Sequence, residues 1–307
     1  SWAHALGSEF SIGATAFYYE RSFSRTAALD LRGINEALDV QALEEERTYS
    51  ARDKGLVGKV GLAWRSGAWS AGVTTTLPRW AISSSGAIRY EDFEVGLVDS
   101  VGTPRDNVLV SSVQGGLPME WKSPWSFGVG VGWSRGPWQI HTAAEYFTAV
   151  PPHILVQSRD GESGQSTGDP IEYTVVEERK RVLNGGIGIQ WSGSDDLSAF
   201  ISAVTNRSSA PDSVSTFTEL GDVTNHTSQQ MDFILLGGGI SFHTRWADLT
   251  VGATWQGSSE PVARLVDLPS EAEPSDEEAR FEIDEWRFLF GFSVPFVDER
   301  LGALGGG

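Results

Sequence analysis

Near its C-terminal end the chain places a large apolar residue at every second position: Trp286, Phe288, Phe290, Phe292, Val294 and Phe296. Glu285, Arg287, Leu289, Gly291, Ser293 and Pro295 alternate with them, so one face is aromatic and the other mostly small or charged. A period of two is the signature of a β-strand. The same pattern returns in Trp125–Trp133, Gly185–Trp191 and Leu249–Trp255. Repeated strands that are apolar on one side, carry Gly, Ser and Thr on the other, and end at an aromatic predict a barrel wall whose apolar side faces lipid.

Ten strands are predicted, at about 8 to 20, 53 to 65, 68 to 83, 108 to 134, 137 to 149, 173 to 192, 196 to 207, 229 to 244, 247 to 257 and 280 to 296. The fourth should break near Pro118 or Pro124, because proline cannot donate to a ladder. Four connections are short, at Ser66-Gly67, Arg135-Gly136, Gly193-Ser194 and Thr244-Arg245. They alternate with long ones at 21–52, 84–107, 150–172, 208–228 and 258–280. Short turns at one end and long loops at the other is the asymmetry of outer-membrane barrels. The expectation is therefore all-β: an antiparallel up-and-down transmembrane barrel, one domain over 1–296, followed by a tail at 297–307.

Tryptophan and charge placement support the same reading. Trp64, Trp69, Trp133, Trp138, Trp191 and Trp246, half of the 12 tryptophans, flank the short turns. Tryptophan favours membrane interfaces, so the six form one expected girdle and the short turns become periplasmic. If Val60, Leu62, Trp138, Ile140, Tyr146, Phe288 and Phe290 face lipid, then Lys59, Gln139, His141, Glu145, Glu285 and Arg287 face the lumen. That keeps charge out of the bilayer, where Lys or Arg at the midplane costs about 2–4 kcal/mol. Alternation alone leaves the strand around Phe200 unassigned. A soluble β-sandwich would alternate equally well, but with its apolar face inward and its Gly/Ser/Thr face meeting water.

Composition removes several alternatives. The sequence has no run of apolar residues long enough for a spanning helix and no basic-then-apolar leader at Ser1. Mean hydropathy of −0.20 says little, since a barrel wall averages its two faces. The chain has no cysteine, which excludes disulfides and thiolate sites. A net charge of −18 argues against nucleic acid as a partner. Glycine, at 35 residues, is in excess of the usual ~7% and falls inside the alternating runs, where it weakens strands unless something needs the room.

The loops carry the remaining chemistry. Leu31, Ile34, Leu38 and Ala42 recur at helical spacing and predict an amphipathic helix in 21–52. Phe93, Val95, Leu97, Val98 and Val101 make 84–107 more apolar than a solvated loop requires. The helix would either pack down onto the barrel mouth or, with the second loop, form an apolar external groove in which Leu31, Ile34, Leu38, Phe93, Val95 and Leu97 are the candidate ligand-binding residues. The loop at 258–280 is acidic without calcium-loop spacing. Histidines 4, 141, 153, 226 and 243 show no metal-ligand spacing, and no G-x-S-x-G or phosphate loop occurs. A non-enzyme without metal or cofactor is expected.

Several segments resemble a known family. Ala5 through Tyr19 followed by a long loop, Lys59 through Trp64 with Trp69 through Pro78, Leu117-Pro118 leading into Trp125–Trp133, and the ending Phe288–Phe296 are similar to the FadL family of outer-membrane long-chain fatty acid and hydrocarbon transporters. The resemblance covers most of the chain. It implies a fourteen-stranded barrel, an N-terminal hatch inside it, an external apolar groove between two long loops, here 21–52 and 84–107, and a sideways exit through the wall. With ten predicted strands and no counterpart of the hatch, this chain would supply the C-terminal ten strands of such a barrel.

The expected function is passive uptake of hydrophobic small molecules, such as long-chain fatty acids, across a Gram-negative outer membrane. A porin for polar solutes would show dense opposed rings of charge. Lys59, His141, Glu145, Glu285 and Arg287 are too sparse for that. The partners are then membrane lipid, lipopolysaccharide and the hydrophobic ligand. A structural or assembly subunit of a larger outer-membrane complex, with protein partners on its acidic loops, is the alternative.

Overall fold

The computed structural model describes residues 1–34, 39–98, 102–159, 164, 165, 168, 171–194, 196–211, 223–226, 231–244, 247–262 and 279–294. Every regular element among them is a strand: β1 (Trp2–Ala5), β2 (Phe10–Ile34), β3 (Val40–Ser66), β4 (Trp69–Thr76), β5 (Trp80–Val95), β6 (Val108–Leu117), β7 (Ser126–Arg135), β8 (Trp138–Phe147), β9 (Val150–Gln157), β10 (Thr174–Arg179), β11 (Val182–Ser194), β12 (Leu197–Asn206), β13 (Val223–Asn225), β14 (Phe233–His243), β15 (Asp248–Val262) and β16 (Ala279–Ser293). The protein is all-β. A 13-stranded sheet runs β1-β2-β3-β4-β7-β8-β11-β12-β14-β15-β16, with β5 paired to β3 and β6 to β5, and a 3-stranded sheet runs β13-β10-β9. The large sheet is antiparallel at every described pairing.

The strands flanking the four short connections pair as the expected hairpins. Gly67 and Gly136 open their turns at φ 56° and 57°, the left-handed values that primed two-residue turns demand. The predicted break after Leu117 is also present, and residues 118–125 form a strap between β6 and β7. The predicted strand at 68–83 divides into β4 and the start of β5, and that at 173–192 into β10 and β11.

Two expectations fail. The 21–52 loop with its helix is strand at every described residue but Asp39: β2 and β3 continue as one hairpin, in register from Phe10↔Trp64 to Ile34↔Val40. Leu31 and Ile34 stand on opposite faces of that ladder, so the i, i+3 spacing that suggested a helix is coincidental to a period of two. Leu38 lies outside the described residues. Likewise 84–107 is largely strand, because β5 pairs with the upper half of β3 from Ala42↔Val95 downward while β4 takes its lower half. The loops at 150–172 and 258–280 are also narrower than expected, since β9, β15 and β16 reach into them. The tail 297–307 and Trp246 lie outside the described residues.

Register resolves the two faces of the sheet. One cross-strand row reads Trp69, Trp133, Ile140, Ile189, Ile201, Gly238, Ala253, Phe288. The row on the opposite face reads Ser70, Gly132, His141, Gly188, Ser202, Gly237, Thr254, Arg287. This settles β12: Ile201 is on the apolar face and Phe200 on the small-residue face. The apolar face is uncovered, with Phe288 71% and Phe290 78% exposed. A sandwich would pack such residues against a second sheet; here nothing described covers them. The buried apolar core lies elsewhere, at Tyr49, Ile88, Leu117, Trp121, Leu155, Val156, Tyr173 and Val175.

That core belongs to a cap. The upper halves of β2 and β3, with β5 and β6, extend past the apolar belt, and the small sheet β9-β10-β13 joins them through Tyr49, Trp121 and Tyr173. The belt has sharp limits. At its lower edge Trp69 and Trp133 lie 6.5 Å apart and Trp138 and Trp191 6.4 Å apart, ring centre to ring centre. At its upper edge Tyr18, Trp80, Trp125 and Tyr146 are exposed. Trp138 and Tyr146 are eight residues apart on β8, about 27 Å along a strand. Allowing for strand tilt, that suits an apolar band of about 25 Å. Above Tyr18 and Leu56 the same face turns polar at once, with Glu20 and Lys54 paired at 3.0 Å.

Candidate functional site

Along the small-residue face runs a trough made by β4, β7, β8, β11 and β12. Two adjoining hollows of about 640 and 660 Å³ share Gly72, Gly130 and His141 on their walls. Two of its glycines, Gly128 and Gly132, are crowded across the ladder, whereas a Cβ at Gly72, Gly130, Gly185 or Gly188 would make ordinary contacts. A Cβ on Gly132 would stand 2.6 Å from Ser70 Oγ and 2.9 Å from His141 Nδ1, and one on Gly128 2.6 Å from Thr74 Oγ1. Small residues on one side let the sheet curl towards that side and leave a concavity.

All six residues expected in the lumen, Gln139 among them, stand on this face. His141 and Glu145 line the trough itself. Glu145 Oε1 accepts a 2.7 Å hydrogen bond from the buried Ser126 hydroxyl. Lys59 is opposite Thr15 and Thr76. Arg287 occupies the row of His141, pairs with Glu285 at 2.7 Å, and Glu285 takes a further 2.7 Å bond from Gln256 Nε2. Glu145, Glu285 and Arg287 are thus locally partnered.

The six candidates on the former loops are not gathered into a groove. Ile34, Phe93 and Val95 share one face of the β2-β3-β5 extension, interleaved with Asp30, Arg32 and Glu44. Leu31 is on the other face, opposite Leu43, and Leu97 follows β5 in a turn whose carbonyl accepts from Arg105 N–H. Extended backbone places neighbours on opposite faces, so a stripe built on helical spacing is split between them.

Sequence reasoning missed the polar and aromatic cluster where the cap meets the small-residue face. Asp53, fully buried, accepts from Tyr19 Oη at 2.9 Å, Ser84 Oγ at 2.6 Å and Arg79 Nη1 at 2.5 and 2.6 Å. Burial would raise its carboxyl, but the bonds from Ser84, Tyr19 and Arg79 outweigh that and hold it below the usual carboxylate range. Arg79 also ties down the strap, donating through Nε to the Trp121 carbonyl and through its backbone N–H to the Ser123 hydroxyl oxygen at 2.7 Å. Phe23, Trp121 and His226 pack ring to ring at 4.8–5.3 Å, and Tyr49 Oη lies 2.7 Å from His226 Nδ1. Burial and the guanidiniums of Arg179, Arg25 and Arg21 push the His226 pKa down to about 4, so the ring is neutral. Tyr19, Arg21, Phe23 and Arg25 all stand on one face of β2, but with two arginines among them their alternation carries no hydrophobic label.

Comparisons with known proteins add a likeness of shape. No protein-family model matches the sequence, and a search of curated proteins gives no match. A solved structure described as the CymD monoaromatic hydrocarbon channel is similar to this chain at a TM-score of 0.42 and 11% sequence identity, covering 82% of this chain and 75% of that one. Among the described residues no group of three His, Asp or Glu side chains is placed to hold a metal ion.

Proposed function

We propose that this chain forms the wall of an outer-membrane β-barrel that takes up hydrophobic small molecules passively, long-chain fatty acids among them. The observation that carries the reading is the inside-out distribution of residues. An uncovered apolar belt, bounded by aromatic edges and then abruptly by charge, backs a trough of Gly, Ser, Thr and Ala. The belt suits lipid and, on its outer leaflet, lipopolysaccharide. The trough offers an apolar cargo room without strong polar competition for it.

The test is reconstitution. Vesicles containing the full chain should accumulate a fluorescent long-chain fatty acid faster than protein-free vesicles, and Gly132→Trp, which fills the trough beside His141, should slow that rate to the protein-free value. Equal rates with and without protein would refute the reading.

A further inference from the structure

Above the aromatic edge, the side of β2, β3 and β5 that carries the apolar belt continues upward as one ladder. Its edge row reads Tyr18, Leu56 and Trp80, and two rows higher the same face reads Ser22, Arg52 and Ser85. A guanidinium is thus set between two small hydroxyls. The other charges on this face are matched. Glu20 pairs with Lys54 at 3.0 Å in the row between. Higher up, Arg89 meets Glu91 at 2.8 Å and Glu46 at 3.8 Å, and Arg32 at the tip joins Asp30 and Glu44.

Arg52 is the exception. It is exposed, and among the described residues its side chain has no hydrogen bond or ion pair. Ser22 and Ser85, directly across the ladder on either side, are exposed as well. Depth points the same way. Arg52 stands four residues above Leu56 on β3, about 13 Å along the strand and about 10 Å above the apolar edge once a tilt of about 40° is allowed. The polar zone of a bilayer extends about 5–8 Å beyond the hydrocarbon on each side. A long arginine side chain leans back towards that zone while its charged head stays wet, so the guanidinium falls at the level of the outer-leaflet phosphates.

We propose that Arg52, with Ser22 and Ser85, is a docking site on the outside of the wall for the phosphorylated sugar head group of lipopolysaccharide. A guanidinium presents a planar fork to phosphate oxygens, and serine hydroxyls both donate and accept, as sugar hydroxyls require. A lipid with a phosphate but no sugar ring leaves those serines largely without partners. The face is continuous with the belt, so acyl chains against Tyr18, Leu56 and Trp80 and a head group at Arg52 belong to one molecule. The assignment rests on the outer-membrane reading of the belt and is independent of what the trough carries.

The test uses the full chain in neutral detergent, titrated with fluorescent lipid A, the bisphosphorylated diglucosamine anchor of lipopolysaccharide, and read by anisotropy. Unlabelled lipid A should displace the probe at least about fivefold better than dephosphorylated lipid A or phosphatidylglycerol, and sodium chloride should weaken binding. Arg52→Gln should weaken the probe by about fivefold or more, and Ser22→Ala with Ser85→Ala by about threefold. Arg89→Gln, further up the same face, should stay within about twofold of wild type. Equal losses in Arg52→Gln and Arg89→Gln would mean diffuse attraction and would overturn the proposal. So would unchanged affinity in Arg52→Gln, or equal competition by phosphatidylglycerol, a readout that needs no variant. Vesicle uptake by a protein whose lipid A affinity ignores Arg52 would overturn the site and leave the uptake reading standing; Arg52-dependent lipid A binding without uptake would do the reverse.

Discussion

Replacing Asp53 by Ala tests whether the cap is clamped to the wall by one buried carboxylate. Asp53 is fully buried, and the Arg79 side chain is only 7% exposed. Truncation would leave that guanidinium facing its former partner's void, with the Tyr19 and Ser84 hydroxyls deprived of their acceptor. Breaking a buried pair from one side costs about 3–5 kcal/mol, most of it the price of the stranded charge. Asp53→Asn keeps the shape and part of the hydrogen bonding, so it should cost less. Because Arg79 also holds the strap at Trp121 and Ser123, the loss should fall on the cap. Native-state hydrogen exchange in nanodiscs reads this directly. The opening free energy at Leu155, Tyr173 and Val175 should drop by about 3–5 kcal/mol in Asp53→Ala, while amides of β8 and β11 within the belt stay where they were. Unchanged protection at those cap residues, or an equal fall in cap and wall, would refute the clamp.

Other outcomes follow from the same structure. His226 has a folded pKa of about 4 against 6.5 when free, so between those values the open cap binds a proton that the closed one does not. Cap stability should therefore be full above about pH 7 and fall as pH drops towards 4, by up to about 3 kcal/mol; His226→Gln should abolish the slope, seen as the difference between the two proteins' exchange profiles. Phe288→Arg should cost about 2–4 kcal/mol or more when the protein refolds into vesicles, and Leu289→Arg, on the other face, far less; equal costs would contradict the face assignment. Gly132→Val should cost about 1–3 kcal/mol through overpacking against Ser70 and His141 and slow uptake, as measured by denaturant titration and vesicle flux.

The wall was legible in the sequence because each of its strands repeats one rule. Val60, Leu62, Trp138, Ile140 and Phe288 fall on the apolar face, and Lys59, His141, Glu145 and Arg287 on the other, as alternation requires. The extension was not legible, because above Tyr18 both faces of β2 and β3 turn polar or mixed and hydrophobic periodicity carries no label there. Leu31 and Ile34 then matched a helix by accident. The cap was beyond reach for another reason. Its contacts join residues as distant as Tyr49 and His226, 177 positions apart, and no local spacing encodes such a meeting.

The central claim is that the apolar face of this sheet meets lipid and the small-residue face lines a wet conduit. Spin labels placed singly at 286 through 292 on β16 test it most directly, by collision with oxygen, which concentrates in the bilayer, and with a water-soluble nickel chelate. Labels at 286, 288, 290 and 292 should favour oxygen and those at 287, 289 and 291 the chelate, in strict alternation. Uniform access to the chelate along all seven positions would show that the apolar face does not lie in a membrane.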